Sequence, residues 1–496
     1  MMNGNAMAQD SVKVYAACLR GVEAVSVTVE VAMSNGLPGI TIVGMADAAI
    51  LEARSRIRCA LRSAGYEVPR KKITVNLSPG DLRKSGSGFD LPIAVGILAV
   101  SGQIPLSCLR DYLYIGELSL DGDVKEVRGA IAYQLLAQQQ HKTLVVSSHQ
   151  QVLPHQEGNT LSLKNIALLQ MGMSRCRQGS EFVVDPNISD STLDFEDVCG
   201  QEVAKRALAI AAVGDLGVLM LGPAGSGKTM LAKRFPSIME PLDSRDLIET
   251  MRAYSVAEQD ISSLLLGRRP FRSPHHSISS AGMVGGGRPI RPGEVSLAHK
   301  GVLFLDEFGE FSNNVLQLLR QPMEEGIVRL ARAEGVFEFS CQFQLLAASN
   351  PCPCGNLGDD AVKCTCTPQA IDKYQAKLGG PLIDRIDMRF SVRRPDPEVI
   401  IAGETGMSSE SLAQWVKQGR AYRFWREEKN SEEDALESLH LSCEAQEKLA
   451  RISKVNHLTG RGIIRLARIA RSIADMDECE AVSTSHLLEA SSYRGV

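Results

Sequence analysis

The clearest chemical signal in the chain is the segment GPAGSGKT at positions 222–229. It fits the pattern G-x-x-x-x-G-K-[ST], in which the backbone N–H groups of a glycine-rich loop surround phosphate oxygens. The lysine of this pattern reaches the β- and γ-phosphates, and the final hydroxyl can hold Mg²⁺. The apolar run GVLML before it and the helical run MLAKRF after it give the strand–loop–helix context that the pattern requires. The sequence therefore predicts a nucleoside triphosphate site formed by Gly222, Pro223, Ala224, Gly225, Ser226, Gly227, Lys228 and Thr229.

Two later apolar runs end in side chains that would serve such a site. Residues 302–307 read VLFLDE, and residues 343–350 read FQLLAASN. Parallel strands deliver the residues that follow them to the carboxyl edge of the sheet, where ligands bind. We expect Asp306 to hold Mg²⁺, Glu307 to orient or deprotonate the attacking water, and Asn350 to sense the γ-phosphate. Taken alone, Asn350 before a proline would be more typical of a turn.

Two arginines farther along the chain are candidates for contacts with the nucleotide. Arg385 lies between two acidic residues in the run PLIDRID, and Arg461 opens the helical run GRGIIRLARIAR. Arg385 can form a structural salt bridge or reach into the ATP site of a neighbouring subunit. Arg461, or Arg465 one turn later, can touch the nucleotide or belong to a solvated basic face.

Four of the 12 cysteines are concentrated in one short segment. Cys352 and Cys354 form one pair, and Cys364 and Cys366 form a second pair after nine intervening residues. Four thiolates so close together in a reducing compartment predict a tetrahedral Zn²⁺ site with a structural role. The C-x-C spacing is tighter than the usual zinc spacing, so an iron–sulfur cluster or free thiols remain as alternatives.

The elements that must position these residues fall into regions that differ in composition and in hydrophobic pattern. Residues 1–12 have the character of a loose leader, and residues 13–170 mix β-rich runs with Ala- and Arg-rich helical stretches in an α+β pattern. Residues 171–193 gather Ser, Asp, Gly and Pro, which is typical of a linker. Apolar strand-like runs alternate with helical ones over 194–395, as a parallel α/β sheet requires. Only helical patterns follow over 396–496, which indicates a small helical lid.

Bulk composition limits the class of protein. The chain has 496 residues, too many for one core, and its 44% hydrophobic and 23% charged residues are ordinary for a globular protein. A formal charge of -4 gives no overall basic signature, so any contact with nucleic acid has to come from local patches. No secretory segment is recognisable, and the longest apolar run, LPIAVGILAV, is too short to cross a bilayer. We expect a cytoplasmic protein that does not associate with membranes.

Longer strings in these regions resemble a known family. The run RPFRSPHHSISSAGMVGGGRPIRPGEVSLAHKGVLFLDEF and the run SNPCPCG are similar to the YifB/ComM proteins, which are magnesium-chelatase-like AAA+ ATPases of bacteria. The resemblance continues upstream through GLPGITIVGMADAAILEARSRIRCAL and covers nearly the whole chain after the leader. It implies an AAA+ core with a helical lid and supports a four-cysteine cluster at this place. The implied motif positions are residues 222–229 for Walker A, Asp306 and Glu307 for Walker B, Asn350 for sensor 1, Arg385 for the arginine finger and Arg461 for sensor 2.

The resemblance also implies a DNA partner, because family members of the ComM type are hexameric motors that drive branch migration during natural transformation. Residues 267–297 match an insertion in the second helix of the AAA+ core, and residues 327–342 match a hairpin before sensor 1; both line the central pore in this class. We expect single-stranded and branched DNA to contact Arg329 and Arg332, repeated around a homohexamer. For any single arginine, a salt bridge with a local carboxylate is the better explanation. The insertion adds further basic residues: Arg268, Arg269, Arg272, His275, His276, Arg288 and Arg291.

Residues 13–170 resemble a fold shared by the Lon proteolytic domain and a domain of the RadA recombination motor, an S5 domain 2-like fold. The strings that carry this likeness are RKSGSGFDLPIA and IGELSLDGDVKEVRGAIA. A Lon-type protease needs a serine nucleophile and a lysine to activate it. Gly88 occupies the nucleophile's position and Tyr133 the lysine's, while Ser87 is better explained as a turn residue. The resemblance therefore implies a domain without peptidase activity that grips DNA or holds subunits together.

Three functions are compatible with these features. We favour a DNA-translocating ATPase over a chelatase-type motor that remodels a protein partner to insert Mg²⁺ into a porphyrin, and over an ATP-dependent protease. The N-terminal domain and the cysteine pairs argue against the chelatase, and the missing Ser/Lys pair argues against the protease. A relative with a DNA-repair function unrelated to competence would share the same features.

Overall fold

The computed structural model of the chain describes residues 10–153, 160–182, 193–333, 335–358, 362–378, 382, 385–395, 398, 401, 406–429 and 439–494. Residues 1–9 of the predicted leader lie outside these ranges. The described residues form a mixed sheet with helices, then a parallel sheet with helices, then a group of helices. Among them, no helix combines the length and the apolar character needed to cross a membrane.

The N-terminal sheet has eight strands and contains both parallel and antiparallel pairs. An antiparallel hairpin near its centre is paired continuously from Ser11↔Ala32 to Arg20↔Glu23. Buried residues alternate along much of these strands, as expected for a sheet with one face in the core. The strands are, in spatial order, Arg177–Gln178, Thr160–Leu163, Thr143–Ser147, Tyr112–Tyr114, Ser11–Arg20, Glu23–Ser34, Lys72–Ser78 and Gly39–Val43.

Three helices accompany this sheet: Ala48–Ser63, Asp90–Val100 and Ala130–Gln139. The second of them is buried along its whole length, because its sequence is apolar on every side. Gly96 lies so close to the central hairpin that a β-carbon there would be 2.4 Å from Val31 Cγ2, so this packing requires glycine. The shorter elements are the strand pairs Glu117–Leu118 with Val124–Lys125 and Gln151–Val152 with Ser180–Glu181, and the 3₁₀ helices Ser87–Phe89, Leu106–Cys108, Ile166–Met171 and Met173–Arg175.

The predicted boundary at residue 170 differs from the structure. The strand Arg177–Gln178 pairs with Leu161 and Ser162, so the first sheet continues into the segment predicted as a linker. This strand has two polar, exposed residues and therefore no hydrophobic pattern by which the sequence could reveal it. Residues 183–192 of the predicted linker lie outside the described residues.

The middle group contains a five-stranded sheet in which every neighbouring pair is parallel. The prediction of a parallel α/β sheet is confirmed. Because the strands share one direction, the residues that follow Val218–Leu221, Val302–Leu305 and Gln344–Ser349 meet at one edge. The strands are, in spatial order, Phe271–Arg272, Val302–Leu305, Gln344–Ser349, Val218–Leu221 and Met388–Ser391.

The helices around this sheet are Glu202–Gly214, Lys228–Arg234, Ser244–Val256, Ser262–Leu265, Ser280–Val284, Glu294–Leu297, Asn313–Leu318, Arg320–Glu325 and Pro368–Leu378, with the 3₁₀ helices Phe195–Asp197, Phe235–Ile238 and Phe308–Glu310. Within the predicted insertion, Phe271–Arg272 forms an edge strand of the core sheet, and Gly285–Gly286 pairs with Arg291–Pro292. The predicted hairpin consists of Ile327–Arg332 paired with Gly335–Ser340. Residue 334 in its turn is outside the described residues.

The described residues after 406 contain four longer helices: Ser409–Lys429, Cys443–Val455, Gly460–Met476 and Thr484–Ser492. Asp475 is buried between two arginines, with its carboxylate accepting hydrogen bonds from Arg426 Nε at 2.9 Å and Arg471 Nε at 3.1 Å. The helices Ser409–Lys429 and Gly460–Met476 both pack on Glu202–Gly214 through a shared apolar core. This contact joins the C-terminal helices to the parallel sheet.

The N-terminal group also packs against the middle group. Ile131 and Leu153 share an apolar cluster with Met251 and Tyr254. The backbone N–H of Gly129 donates to the Ser255 carbonyl at 3.1 Å, at the edge of this cluster. Val22, in the turn of the central hairpin, packs against the apolar cluster that contains Phe339 of the second hairpin. The hairpin Ile327–Ser340 therefore lies against the N-terminal sheet.

Candidate active site

The segment 222–227 forms a loop between the strand Val218–Leu221 and the helix Lys228–Arg234. Gly222 passes so close to the neighbouring strand that a β-carbon would lie 2.1 Å from the Val392 carbonyl oxygen. Gly227 has a φ of +91°, which side chains rarely adopt, and it places the loop at the N-terminus of the helix. The two glycines thus fix the strand–loop–helix shape in which backbone N–H groups can face an anion.

Lys228 points back into this loop. Its ammonium donates to the carbonyl oxygens of Gly222 at 2.7 Å and Pro223 at 2.8 Å, and its side chain is 8% exposed. Burial lowers the pKa of Lys228, while the nearby Asp306 acts in the opposite direction. A buried cation held by weak carbonyl acceptors is well placed to pair with a more strongly charged phosphate.

Asp306 and Thr229 meet at the edge of the sheet. The Thr229 hydroxyl donates to Asp306 Oδ2 at 2.8 Å, and Asp306 follows the buried strand Val302–Leu305 directly. A hydroxyl and a carboxylate are oxygen ligands of the kind that Mg²⁺ takes beside a nucleotide. The two residues therefore fit the predicted metal, which would neutralise charge on the phosphates.

Glu307 follows Asp306 in a left-handed backbone conformation, with a φ of +52°. Its backbone N–H donates to Asp306 Oδ1 at 3.0 Å, which helps to orient the Asp306 carboxylate. The Glu307 carboxylate lies 3.3 Å from Nδ1 of His276, a residue of the predicted insertion. The sequence marked His276 only as part of a basic set, because a contact across thirty-odd residues leaves no local pattern.

Asn350 follows the strand Gln344–Ser349 and completes this edge. Its amide oxygen lies 3.4 Å from Lys228 Nζ, and the backbone N–H of Gly222 donates to the Ser349 carbonyl at 3.2 Å. The structure thus brings together the loop 222–229, Asp306, Glu307 and Asn350 as the sequence predicted. Contiguous motifs on adjacent parallel strands made this part predictable.

The two predicted arginines occupy other surroundings. Arg385 Nη2 lies 2.6 Å from the carboxylate of Glu324, so it forms a salt bridge within its own chain. Arg461 is exposed in the first turn of Gly460–Met476. Arg465, one turn later, lies 3.6 Å from Asp387, which also accepts from the backbone N–H of Gly217. Their roles at a nucleotide remain predictions.

The four cysteines converge as expected for a metal site. Their sulfur atoms all lie within 4.8 Å of one another, with Cys352 at 3.4 Å from Cys354 and 3.7 Å from Cys364. Tetrahedral Zn–S bonds of about 2.3 Å place sulfurs about 3.8 Å apart, so this donor set fits Zn²⁺. Hydrogen bonds from backbone N–H groups, that of Asn356 first, lower the pKa of Cys354 to about 5 and favour the thiolate that binds metal.

The cysteine cluster lies against the nucleotide loop. A β-carbon on Gly355 would be 3.7 Å from the backbone nitrogen of Ala224 and 3.8 Å from the side chain of Asn350. Gly355 follows Cys354 directly, and its backbone N–H donates to the Cys352 carbonyl at 3.0 Å. A metal at the cluster would therefore hold the residues that support the loop and Asn350.

Three of the arginines predicted in the hairpin and the insertion have carboxylate partners. Arg329 lies 2.8 Å from both Glu325 and Glu338, so its charge is compensated locally. In the insertion, Arg272 pairs with Glu294 and Arg291 with Glu258. By contrast, Arg332 and Arg288 form no ion pair with a carboxylate in the part of the chain that the structure describes.

The residues at the protease-like positions do not form a nucleophile–base pair in the described structure. The Ser87 hydroxyl donates to Glu117 Oε2, and a carboxylate held this way cannot replace the lysine of a Ser/Lys pair. Tyr133 is 6% exposed, and burial raises its pKa. The buried Lys84 donates to the Pro79 carbonyl. This arrangement supports a domain without peptidase activity.

Family models cover almost all of the chain. "Magnesium chelatase, subunit ChlI" matches residues 194–400, "Subunit ChlI of Mg-chelatase" matches residues 29–150, and "Magnesium chelatase, subunit ChlI C-terminal" matches residues 406–494. The three matches correspond closely to the three groups of elements described above.

Full-length relatives are more specific. The chain is 37% identical to an uncharacterized YifB protein of Salmonella typhimurium, with 96% of this chain and 95% of the relative covered. It is also 37% identical to the competence protein ComM of Haemophilus influenzae, with 97% of each chain covered. The magnesium-chelatase 67 kDa subunit of Heliobacterium mobile is 26% identical over only 32% of this chain and 28% of that subunit. The chain therefore belongs to the YifB/ComM family of magnesium-chelatase-like AAA+ proteins, a class of nucleotide-dependent ATPases.

Proposed function

We propose that the protein is an ATP-driven DNA motor that promotes branch migration or unwinding during DNA recombination in natural transformation. The observation that carries the proposal is the convergence of Lys228, Thr229, Asp306 and Asn350 at one edge of a parallel sheet. This is the arrangement that phosphoryl transfer requires, since such catalysis consists almost entirely of positioning and charge stabilisation.

In this proposal the loop 222–227 and Lys228 bind the triphosphate of ATP, and Thr229 and Asp306 hold Mg²⁺. Glu307 accepts a proton from the attacking water, and Asn350 orients that water against the γ-phosphate. Glu307 has to turn away from His276 to take this role, because its carboxylate lies beside the histidine ring here. ATP hydrolysis is thereby connected to the position of the insertion.

We further propose that six copies form a ring and complete each other's sites. Arg385 would then exchange Glu324 for the γ-phosphate of the ATP in a neighbouring subunit, as an arginine finger. Arg461 is exposed and in the first helical turn, which supports a contact with nucleotide that forms only in the ring.

The DNA part of the proposal rests on the relationship to the competence protein ComM and on local charge. Arg329 and Arg332 belong to the hairpin that the family resemblance assigns to the pore. Because Arg329 is paired with two glutamates, we expect Arg332 to make the stronger contact with phosphate. Six copies of an uncompensated arginine around one channel would attract a polyanion strongly.

A chelatase-type remodeller of a protein partner is the alternative that the family models favour, since all three carry the magnesium chelatase name. The match to the heliobacterial chelatase subunit, however, covers only 32% of this chain, whereas the match to ComM covers 97%. We therefore place the DNA motor first. A DNA-repair ATPase unrelated to competence would use the same site and is distinguished only by its biological substrate.

The test is ATP hydrolysis by the purified full-length chain with and without single-stranded and forked DNA. We expect DNA to raise the rate of ATP hydrolysis several-fold, because a DNA motor couples hydrolysis to movement along bound DNA. Lys228→Ala should abolish hydrolysis both with and without DNA. Hydrolysis that is indifferent to every DNA form, or that persists in the Lys228→Ala variant, would overturn the proposal.

A further inference from the structure

A crevice of about 730 Å³ lies between the N-terminal group and the pore elements of the middle group. On the N-terminal side it is lined by the end of the strand Ser11–Arg20 and by residues 79–86. On the other side it is lined by residues 287–290 of the insertion and by the second hairpin. Two separate parts of the chain therefore enclose one space.

The charges of this crevice are mainly positive. Five arginines line it, against two aspartates: Arg20, Arg83, Arg128, Arg288 and Arg332, with Asp47 and Asp81. Asp47 is already engaged, because its two carboxylate oxygens accept from the backbone N–H groups of Ile50 and Gly86, each at 3.0 Å. The crevice therefore holds a formal excess of positive charge that faces a cavity.

Three of the five arginines have no carboxylate partner in the part of the chain that the structure describes. Arg20, Arg288 and Arg332 are exposed and form no ion pair with a carboxylate among the described residues. Nη1 of Arg128 is buried and lacks a hydrogen-bond partner in the same set of residues. Leaving a buried guanidinium nitrogen without an acceptor costs free energy, so such a group indicates an anionic ligand.

We propose that this crevice binds the sugar–phosphate backbone of single-stranded nucleic acid, between the N-terminal group and the insertion and hairpin of the same subunit. The inference deepens the proposed DNA motor and rests on it. A cube of 730 Å³ has an edge of about 9 Å, whereas duplex DNA is thicker than the summed depths of its two grooves, about 8.5 and about 7.5 Å, so a single strand fits better than a double helix. Phe337 also lines the crevice and offers an aromatic face for a base.

This site gives the N-terminal group a function in the motor. Arg20 and Arg128 belong to the N-terminal group. Arg288 belongs to the insertion, whose His276 contacts Glu307 at the nucleotide site, and Arg332 belongs to the hairpin. A strand held between them would be gripped by one fixed and one nucleotide-responsive surface. Backbone contacts by arginine are independent of base sequence, as a translocating motor needs.

The experiment measures binding of fluorescently labelled oligo(dT) by anisotropy over a series of salt concentrations, using the full chain with Mg²⁺ and a non-hydrolysable ATP analogue. The double variant Arg20→Ala/Arg288→Ala removes one arginine from each side of the crevice. Each lost phosphate contact lowers the slope of log affinity against log salt by about 0.7 for a single strand, so we expect a decrease of about 1.4 and an affinity at least about 25-fold weaker at ~0.1 M salt.

The matched control is Arg175→Ala/Arg451→Ala, which removes two exposed arginines that lie outside the crevice. The control should bind like the wild type, and unchanged circular dichroism and thermal midpoints would show that both variants are folded. If the wild type binds oligo(dT) and the two double variants are indistinguishable, the crevice proposal is wrong while the DNA motor stands. If the wild type itself binds no DNA, the proposed function fails. Should Arg20→Ala/Arg288→Ala unfold, the single variants Arg20→Gln and Arg288→Gln decide by the same slope, each lowering it by about 0.7.

Discussion

The Lys228 ammonium is held between carbonyl oxygens of its own loop and the amide oxygen of Asn350. These acceptors are neutral, so a triphosphate competes for the lysine with a clear electrostatic advantage. Lys228 begins the helix after the loop, and Asn350 follows the strand Gln344–Ser349, so their contact links the loop proposed to bind phosphate to the residue proposed to sense it. Binding of ATP at this site would therefore directly change the contact between Lys228 and Asn350.

The cysteine cluster leads to a prediction about the metal content of the protein. We expect about one zinc ion per chain by elemental analysis, and its loss in Cys352→Ser/Cys364→Ser with a lower thermal midpoint, because the metal supports the segment against Ala224 and Asn350. The double variant Cys59→Ser/Cys443→Ser changes two exposed cysteines outside the cluster and should keep the metal. Iron with visible absorbance, or no metal in the wild type, would contradict the assignment.

The sequence could indicate candidate site residues because GPAGSGKT, VLFLDE and the cysteine pairs are local strings. It could not predict pairings between distant residues. Arg329 lies opposite Glu338 only because the hairpin pairs these two positions, and Glu307 meets His276 only through the tertiary fold. A list of basic residues therefore overstated the free positive charge of the pore elements.

Among the elements, the insertion is the one placed to regulate hydrolysis. Its His276 contacts Glu307, and its helix Ser280–Val284 touches the helix Asn313–Leu318 through a hydrogen bond from Asn314 Nδ2 to Ser280 Oγ at 3.0 Å. Movement of the insertion on DNA would thus change the surroundings of the proposed catalytic carboxylate. The short edge strand Phe271–Arg272 fixes the start of the insertion to the core sheet.

We predict that His276→Ala raises ATP hydrolysis without DNA by about two- to fivefold, because an exposed pair of this kind is worth up to about 1 kcal/mol. The ratio of DNA-stimulated to basal rate should fall by a similar factor, while KM for ATP stays constant. His276→Gln keeps a hydrogen-bond donor and should restore the ratio. His149→Ala is the matched control, since His149 is an exposed histidine outside the insertion. An equal loss of rate in both alanine variants would contradict a specific role for His276.

The C-terminal helices depend on the buried Asp475, which is 1% exposed between Arg426 and Arg471. Asp475→Asn would remove the carboxylate that both buried guanidinium groups share, and we expect it to destabilise the helices by about 3–5 kcal/mol. Hydrogen exchange in the helix Gly460–Met476 and the thermal midpoint would report the loss. Asp477→Asn, at a half-exposed neighbouring site, should change either quantity little. Equal protection in the two variants would contradict the importance of the buried cluster.

The arrangement of elements was predictable to different degrees. The parallel sheet followed from buried apolar runs separated by helices, which have a strong pattern. The strand Arg177–Gln178 and the edge strand Phe271–Arg272 were missed because each is two residues long. Such strands are defined by the neighbouring strand with which they pair, because two residues are too few to show a hydrophobic alternation.

For the whole molecule, the packing of the N-terminal sheet against the second hairpin is the central feature. Val22 joins the apolar cluster of Phe339, so the N-terminal group supports the second hairpin, and Glu23 lies 3.8 Å from Arg252 in the helix Ser244–Val256. In the proposed motor, a hairpin supported in this way would transmit force to bound DNA without being displaced by it. We propose that this support is what the N-terminal group contributes, since Ser87 in it hydrogen-bonds to Glu117 and not to a lysine.

A DNA motor of this kind requires that ATP hydrolysis at the loop 222–229 moves DNA. The most direct measurement is release of a labelled strand from forked or branched DNA, followed over time with ATP. We predict that the wild type releases the strand only with ATP, and that Glu307→Gln binds ATP and DNA but releases nothing, because it lacks the carboxylate that accepts the water's proton. Strand release by Glu307→Gln at the wild-type rate, or none by an actively hydrolysing wild type, would contradict the claim.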